Sequence, residues 1–292
     1  MNLKEKIEFY LSSPEILKLA ETSQKYYQYS LKSLTEFYPF DEVDFDEIIF
    51  NRAFFDNFTQ VLEKKGKTGT TIRDYVNCVK IFLKWCGRQA EYTYKVPSHE
   101  LKRHKKKQLR RWFNEQDIAR CKNYFEFSKA NGDINLRNRI IVRLLIETGA
   151  RVREIANVKA KDIDIDERII WLYDSKTEPR PAYFSPKTAE MLKSLRGSKV
   201  LWKEDVFPGV KAVMAMVQAM LSDLGLKTER DGRGPHTFRH YTASYLFYIG
   251  NLRIEDLAFL LGDTPETIIS KYLHPTPLML RERVDKAYRW EV

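Results

Sequence analysis

The sequence predicts a mainly α-helical chain with one small antiparallel β-sheet, an α+β protein of two domains. Three observations carry this. Apolar residues recur every three to four positions through most of the 292 residues, the period of helices that bury one face. One stretch, from Ile163 to Tyr173, changes to the period-two alternation of strands. Residues 101–111 hold seven Lys/Arg and no acid, a like-charge block that repels itself, stays out of a core and separates two apolar-rich parts.

The composition bounds the answer. The chain is 43% hydrophobic and 31% charged, which fits a globular protein rather than a disordered one, and its length allows a sizeable core. A net charge of +10 points to a polyanionic partner. The three cysteines, Cys78, Cys86 and Cys121, show no Cys-x-x-Cys spacing and no nearby histidine pattern, so no metal site is expected. Their sparse, odd count fits a reducing cytosol, with Cys78 and Cys86 as small buried hydrophobes. Met1 to Lys6 lacks the apolar core of a signal peptide, and no apolar run is long enough to span a bilayer. The expected setting is cytoplasmic and nucleoid-associated, with no membrane partner.

Residues 1–95 read as a small helical bundle. Ile7, Leu11, Ile16 and Leu17 give short apolar faces broken near Ser12-Ser13-Pro14. Tyr27, Leu31, Leu34 and Phe37 continue at helical spacing. Pro39 and the acidic run from Asp41 to Glu47 form a loop. Phe54, Phe55, Phe58, Val61 and Leu62 make the next stripe, closed by Lys64-Lys65-Gly66. Thr68 to Thr71 cap a strong helix that carries Ile72, Val76, Val79, Phe82 and Cys86 and stops at Gly87. Residues 96–111 are the linker. Its Lys102, Arg103, Lys105, Lys106, Lys107, Arg110 and Arg111 suit a solvated connection, a targeting signal, or contact with a DNA backbone, where counterion release favours each cation.

The second domain, residues 112–292, starts near Trp112. Asn114 to Asp117 resembles an N-cap, followed by Ile118, Cys121, Tyr124 and Phe125. Asn135 to Glu147 is a buried helix through Ile140, Ile141, Leu144 and Leu145, ended by Gly149. Val152, Ile155 and Val158 make a short helix. Ile163, Ile165, Ile169, Trp171 and Tyr173 alternate as strands around a turn at Asp166-Glu167. Ser175 to Pro179 reads as a turn and Ala182 to Phe184 as a third strand. Helices return at 187–196, about 210–224, 236–249 and 254–261. After Pro275 and Pro277 comes a last helix with Leu280, Val284, Ala287 and Tyr288 on its apolar side. It either packs on its own domain or docks on a neighbouring protomer.

Several segments of this second domain, taken in order, resemble the tyrosine recombinases, the phage-integrase and Xer-like family of site-specific recombinases. Thr148-Gly-Ala-Arg151-Val-Arg-Glu154-Ile is similar to the family's first-arginine motif. Ser175-Lys176-Thr177 is similar to its β-hairpin lysine, and His236-Thr-Phe-Arg239-His240 to its His-x-x-Arg box. Lys271-Tyr272-Leu273-His274 resembles the nucleophile motif. Leu260-Leu261-Gly262-Asp263 resembles the Leu-Gly-His motif, with Asp263 where the family has His or Trp. The resemblance implies a core-binding N-terminal bundle and a catalytic second domain. It also implies double-stranded DNA as partner, a dimer on each site and a tetramer at synapsis.

Those residue types suit phosphodiester cleavage without metal, ATP or other cofactor. Tyr272 supplies an oxygen nucleophile, which needs activation because a free phenol has a pKa near ~10. Arg151 and Arg239 offer permanently charged planar forks to phosphate oxygens, and such donors aimed at developing charge contribute on the order of 3–4 kcal/mol each. His236 hydrogen-bonds the phosphate or accepts the tyrosine proton, and Lys176 gives a proton to the leaving 5′ oxygen. The resemblance implies a 3′-phosphotyrosine intermediate. Glu154 orients Arg151 or Arg153. Asp263 is an acceptor where a donor is expected, and three arrangements are open. It turns away to Arg253 or Lys271, it binds Arg151 or Arg239, or His240 or His274 supplies the missing donor. Two other functional classes share parts of this pattern: a type IB topoisomerase, and a non-catalytic DNA-binding protein of the same fold.

Overall fold

The computed structural model describes residues 1–88, 112–126, 132–174, 177–198, 202–227 and 233–288. The cations at 102–111 and Lys176 lie outside the described residues. The chain divides into two compact units, Met1–Gln108 and Leu109–Val292.

The first unit is a helical bundle: α1 (Leu3–Leu11), α2 (Pro14–Leu17), α3 (Glu21–Phe37), α4 (Arg52–Lys64) and α5 (Gly69–Trp85). Side chains start the helices where the sequence places cap residues. Asn2 accepts from the Glu5 amide at 2.9 Å while Glu5 accepts from the Asn2 amide at 3.1 Å, a reciprocal capping box. Asn51 caps α4 and Thr68 caps α5 in the same sense. The apolar stripes meet in one core around Leu31, Leu34, Phe55, Phe58, Val76, Val79 and Phe82, all fully buried. The acidic loop is not wholly irregular. It holds a one-turn helix, Phe45–Glu47, whose Phe45 enters the core. Arg88 donates to the carbonyls of Phe45 and Ile48 at 2.9 and 2.7 Å, tying the end of the bundle to that turn.

The second unit starts with α6 (Glu115–Asn123), whose Asn114 and Asp117 form another capping box. Then come α7 (Gly132–Thr148), α8 (Val152–Ala156), β1 (Ile163–Asp164), β2 (Ile169–Asp174), β3 (Thr177–Tyr183), α9 (Pro186–Gly197), α10 (Val210–Asp223), α11 (Pro235–Tyr248), α12 (Ile254–Leu261), the short α13 (Pro265–Thr267), a π-helical turn at Ile268–Tyr272, and α14 (Pro277–Ala287). Helix α7 is central, packed on α9 and α11. The sheet is antiparallel in the order β1-β2-β3.

The sheet departs from the sequence reading in two ways. The stretch read as a turn ending at Pro179 is already strand from Thr177, with Trp171 opposite Pro181. Prolines fit there because, among the described residues, β3 pairs with β2 alone and is an edge strand. And the buried side of β2 is Ile170 and Leu172, while Trp171 and Tyr173 are 42% and 48% exposed. The aromatic alternation marked the outer face. A second small cluster, Ala243, Leu257, Ala258, Leu261, Ile268 and Tyr272, packs α11 against α12 and the π turn. No described helix is long and apolar enough to cross a membrane.

Candidate active site

Arg151 is placed by the way α7 ends. Gly149 takes a left-handed φ of +62°, and a Cβ there would stand 2.7 Å from Leu261 Cδ2. Only glycine lets the end of α7 come this close to α12. Thr148 Oγ1 donates back to the Leu144 carbonyl at 2.6 Å and accepts from the Ala150 amide at 3.1 Å, fixing the turn. Arg151 is then the N-cap of α8, its amide held by Glu154 Oε2 at 2.5 Å.

Arg239 and His236 share the first turns of α11, which opens with Pro235 at its first helical position, where a missing amide hydrogen costs nothing. Arg239 is 1% exposed. Its guanidinium donates to the carbonyls of Gly149 at 2.9 Å and Leu261 at 2.5 Å. His236 is exposed and faces the same charges. Partial desolvation, then the cations of Arg239 and Arg151, lower its pKa below the usual histidine value, against the opposing pull of Asp263 and Glu154. A neutral imidazole at neutral pH is a proton acceptor.

Asp263 follows Gly262, the left-handed C-cap of α12. Of the three arrangements open to it, the carboxylate adopts the second. It turns inward, and one oxygen, Oδ2, accepts from Arg151 Nη2 at 3.0 Å and also from Arg239 Nη2. Arg253 instead pairs with Glu255 at 3.5 Å. Two guanidiniums converging on one oxygen form an anion site, and in this state the chain's own carboxylate fills it.

Tyr272 lies at the end of the π-helical turn, a distortion common at functional sites. It is 9% exposed, and the Arg239 guanidinium lies 4.9 Å from its ring centroid. Ser244 Oγ donates to the Tyr272 carbonyl at 3.2 Å and accepts from the His274 amide at 2.7 Å. The rings of His240 and His274 join an aromatic stack next to Tyr272: His240 is 4.9 Å from the Tyr272 ring, and Trp112 lies 4.5 Å from His240 and 4.0 Å from His274.

Glu154 is 2% exposed and serves two arginines. Besides Arg151, it accepts from Arg180 Nη2 at 2.8 and 2.9 Å, one bond to each oxygen. Arg153 plays no part in this contact. Arg180, on β3 and 3% exposed, was not singled out from the sequence. A signal was present: Arg180, Ala182 and Phe184 alternate on the inward side of the strand, and a buried arginine requires a counter-ion. Burial pushes its pKa down and Glu154 restores part of it. A cleft of about 420 Å³ opens beside this pair, lined by Glu178, Arg180, Phe259, Asp263 and Thr264. Lys176 lies outside the described residues. Among the described residues no group of three or more His, Cys, Asp or Glu is placed to hold a metal ion.

The family model described as the phage integrase family matches residues 111–278. The tyrosine recombinase XerA of Saccharolobus solfataricus is 29% identical over 215 residues, covering 73% of this chain and 66% of that protein. The tyrosine recombinase XerC of Staphylococcus carnosus is 24% identical over 243 residues, covering 77% and 78%. The fold matches that of the Tn1549 transposon integrase, solved in complex with circular intermediate DNA, with a TM-score of 0.72 at 12% identity over 98% of this chain and 100% of that one.

Proposed function

The chain belongs to the phage integrase family, the tyrosine recombinases, and from that premise we propose that it cleaves and rejoins DNA strands with Tyr272 as nucleophile. The observation that carries this is the pair Arg151 and Arg239 aimed at one anionic oxygen, with the Tyr272 ring under Arg239.

The step balances as a transesterification. A scissile phosphate replaces Asp263 between the two guanidiniums. The Tyr272 hydroxyl gives up its proton, to neutral His236, and its oxygen bonds to phosphorus. The bond from phosphorus to the 5′ oxygen breaks, Lys176 protonates that oxygen, and the 3′ end stays linked to Tyr272. A 5′-hydroxyl from another strand reverses the step. The covalent link conserves the bond energy, so neither ATP nor a metal ion enters. Charge developing on the non-bridging oxygens meets donors that are already in place, often the largest catalytic contribution.

DNA is the partner at the linker cations 102–111 as well, in the cytoplasm where the nucleoid is. Assembly as two protomers per site and four per synapse is supported by α14. That helix buries Met279 fully but leaves Leu280 and Val284, in one stripe with Tyr288 just past its end, 45%, 45% and 55% exposed. Such a stripe suits a neighbouring protomer.

The test is a nicked duplex that traps the covalent intermediate, built on a sequence selected from random DNA by binding to the protein. A protein–DNA adduct absent from Tyr272→Phe supports the reading. No adduct on any selected sequence sinks it. An adduct accompanied by supercoil relaxation without strand exchange would assign the chain to the topoisomerase chemistry instead.

A further inference from the structure

We propose that Trp112 is a positioning residue for the nucleophile, acting through a stack of rings that ends on Tyr272. The inference rests on the reading of Tyr272 as nucleophile and adds a residue that lies outside every motif of the active site.

Trp112 precedes α6 and is far in sequence from the residues it touches. Its indole lies flat on the His274 imidazole, centroids 4.0 Å apart and planes 7° apart, and tilts at 38° onto His240 at 4.5 Å. The two imidazoles are 5.3 Å apart, and His240 continues to the Tyr272 ring at 4.9 Å. One indole therefore covers the residue two places after the nucleophile and the residue one place after Arg239.

The geometry matters because of what else holds Tyr272. Its backbone is pinned from one side, by Ser244, which bonds both the Tyr272 carbonyl and the His274 amide. His274 Nε2 and the Lys271 carbonyl are 2.8 Å apart, so the imidazole is tied to the turn that carries the tyrosine. The Arg239 guanidinium packs on the Tyr272 ring, and His240 packs on it as well. Removing the indole takes away the cover of both imidazoles at once. The Tyr272 ring then has a wider range of tilt, and a misplacement near 1 Å in a nucleophile slows its reaction on the order of 10–100-fold. A flat aromatic replacement keeps the cover; a branched aliphatic one does not stack.

The experiment uses the full chain, with Trp112→Phe and Trp112→Leu compared on the same nicked, selected duplex. DNA affinity and the single-turnover rate of adduct formation are measured separately. The expected result is a rate loss on the order of tenfold for Trp112→Leu at unchanged affinity, with Trp112→Phe within about threefold of the parent. Histidine-labelled protein gives a second readout. The ring protons of His274 and His240, two of five histidines, shift downfield in Trp112→Leu as the indole ring current is lost. Equal rates for parent and Trp112→Leu would overturn the proposal, and so would unshifted histidine signals. A matched loss of rate and affinity in both variants would mean that Trp112 holds the domain generally. If the parent itself forms no adduct, the reading of Tyr272 fails and this inference fails with it.

Discussion

Asp263 shows how one residue changes what an anion site does when no DNA is bound. Arg239 is 0% exposed at its side chain and Asp263 18%, so the pair is shielded from solvent on the arginine side. Removing one partner of such a pair leaves a buried charge and costs about 3–5 kcal/mol. Arg239 keeps two carbonyl acceptors, so Asp263→Asn should lose about 3 kcal/mol, the lower end of that range. Urea unfolding without DNA measures it. Sulfate, placed between the same guanidiniums, should recover a larger share of stability for the variant than for the parent. On DNA the sign reverses. The carboxylate no longer competes with the phosphate, and adduct formation should rise on the order of tenfold, the ~1.4 kcal/mol of one partly screened repulsion. A variant as stable as the parent, or slower on DNA, would show that Asp263 is not a stand-in for phosphate. His236 adds a pH signature. Its folded pKa lies below the ordinary histidine value of about 6.5, so near that value the unfolded chain binds more protons. Stability is then full above about pH 6.5 and declines as pH falls towards the lowered folded value. His236→Gln should remove this slope from melting temperatures taken between pH 7.5 and 5, and parallel curves for the two proteins would refute the assignment.

At the scale of elements, the site depends on how closely α7, α12 and β3 approach. Gly262 at the end of α12 has φ +64°, and a Cβ there would stand 2.5 Å from Arg180 Nε. Gly66 in the first unit has φ +74° with nothing within 4 Å. Both Gly66→Ala and Gly262→Ala therefore carry a left-handed penalty of about 1–2 kcal/mol. Only Gly262→Ala also pushes Arg180 off Glu154. It should unfold at lower urea than Gly66→Ala and form adduct more slowly, whereas Gly66→Ala should leave the adduct rate unchanged. Equal effects would show that the Arg180–Glu154 pair does not depend on this approach. The same elements show what the sequence could tell. Helices and their caps were legible because a 3.6-residue period and a cap side chain are local properties. The motifs that hold Arg151, His236, Arg239 and Tyr272 made the family legible, but the inward turn of Asp263 was one of three arrangements that local reasoning left open. Arg180 and Trp112 were missed because their partners, Glu154 and His274, lie far away in sequence. The strand Thr177–Tyr183 was read short because two prolines signal a turn unless the strand is known to be at an edge.

At the scale of the molecule, the net charge of +10 is unevenly spent. The charges gathered around Asp263 largely cancel, since Arg151, Arg180 and Arg239 face Glu154 and Asp263. Electrostatic attraction to DNA must therefore come from cations that the site does not neutralise, and the densest set is the seven between Lys102 and Arg111. Each phosphate contact releases a counterion, so the logarithm of the binding constant falls with the logarithm of salt at a slope of about −0.9 per contact. Replacing all seven by Gln should reduce the magnitude of that slope by at least ~3 and weaken binding most at low salt. The melting temperature without DNA should stay unchanged, because a self-repelling run contributes nothing to either core. Fluorescence anisotropy on a labelled duplex from 50 to about 300 mM salt measures the slope, in the range where such contacts dominate binding. An unchanged slope would move the DNA contacts to other basic surfaces. A lower slope with equal loss on selected and random duplexes would show that the run adds affinity without sequence preference, leaving site choice to residues elsewhere in the chain.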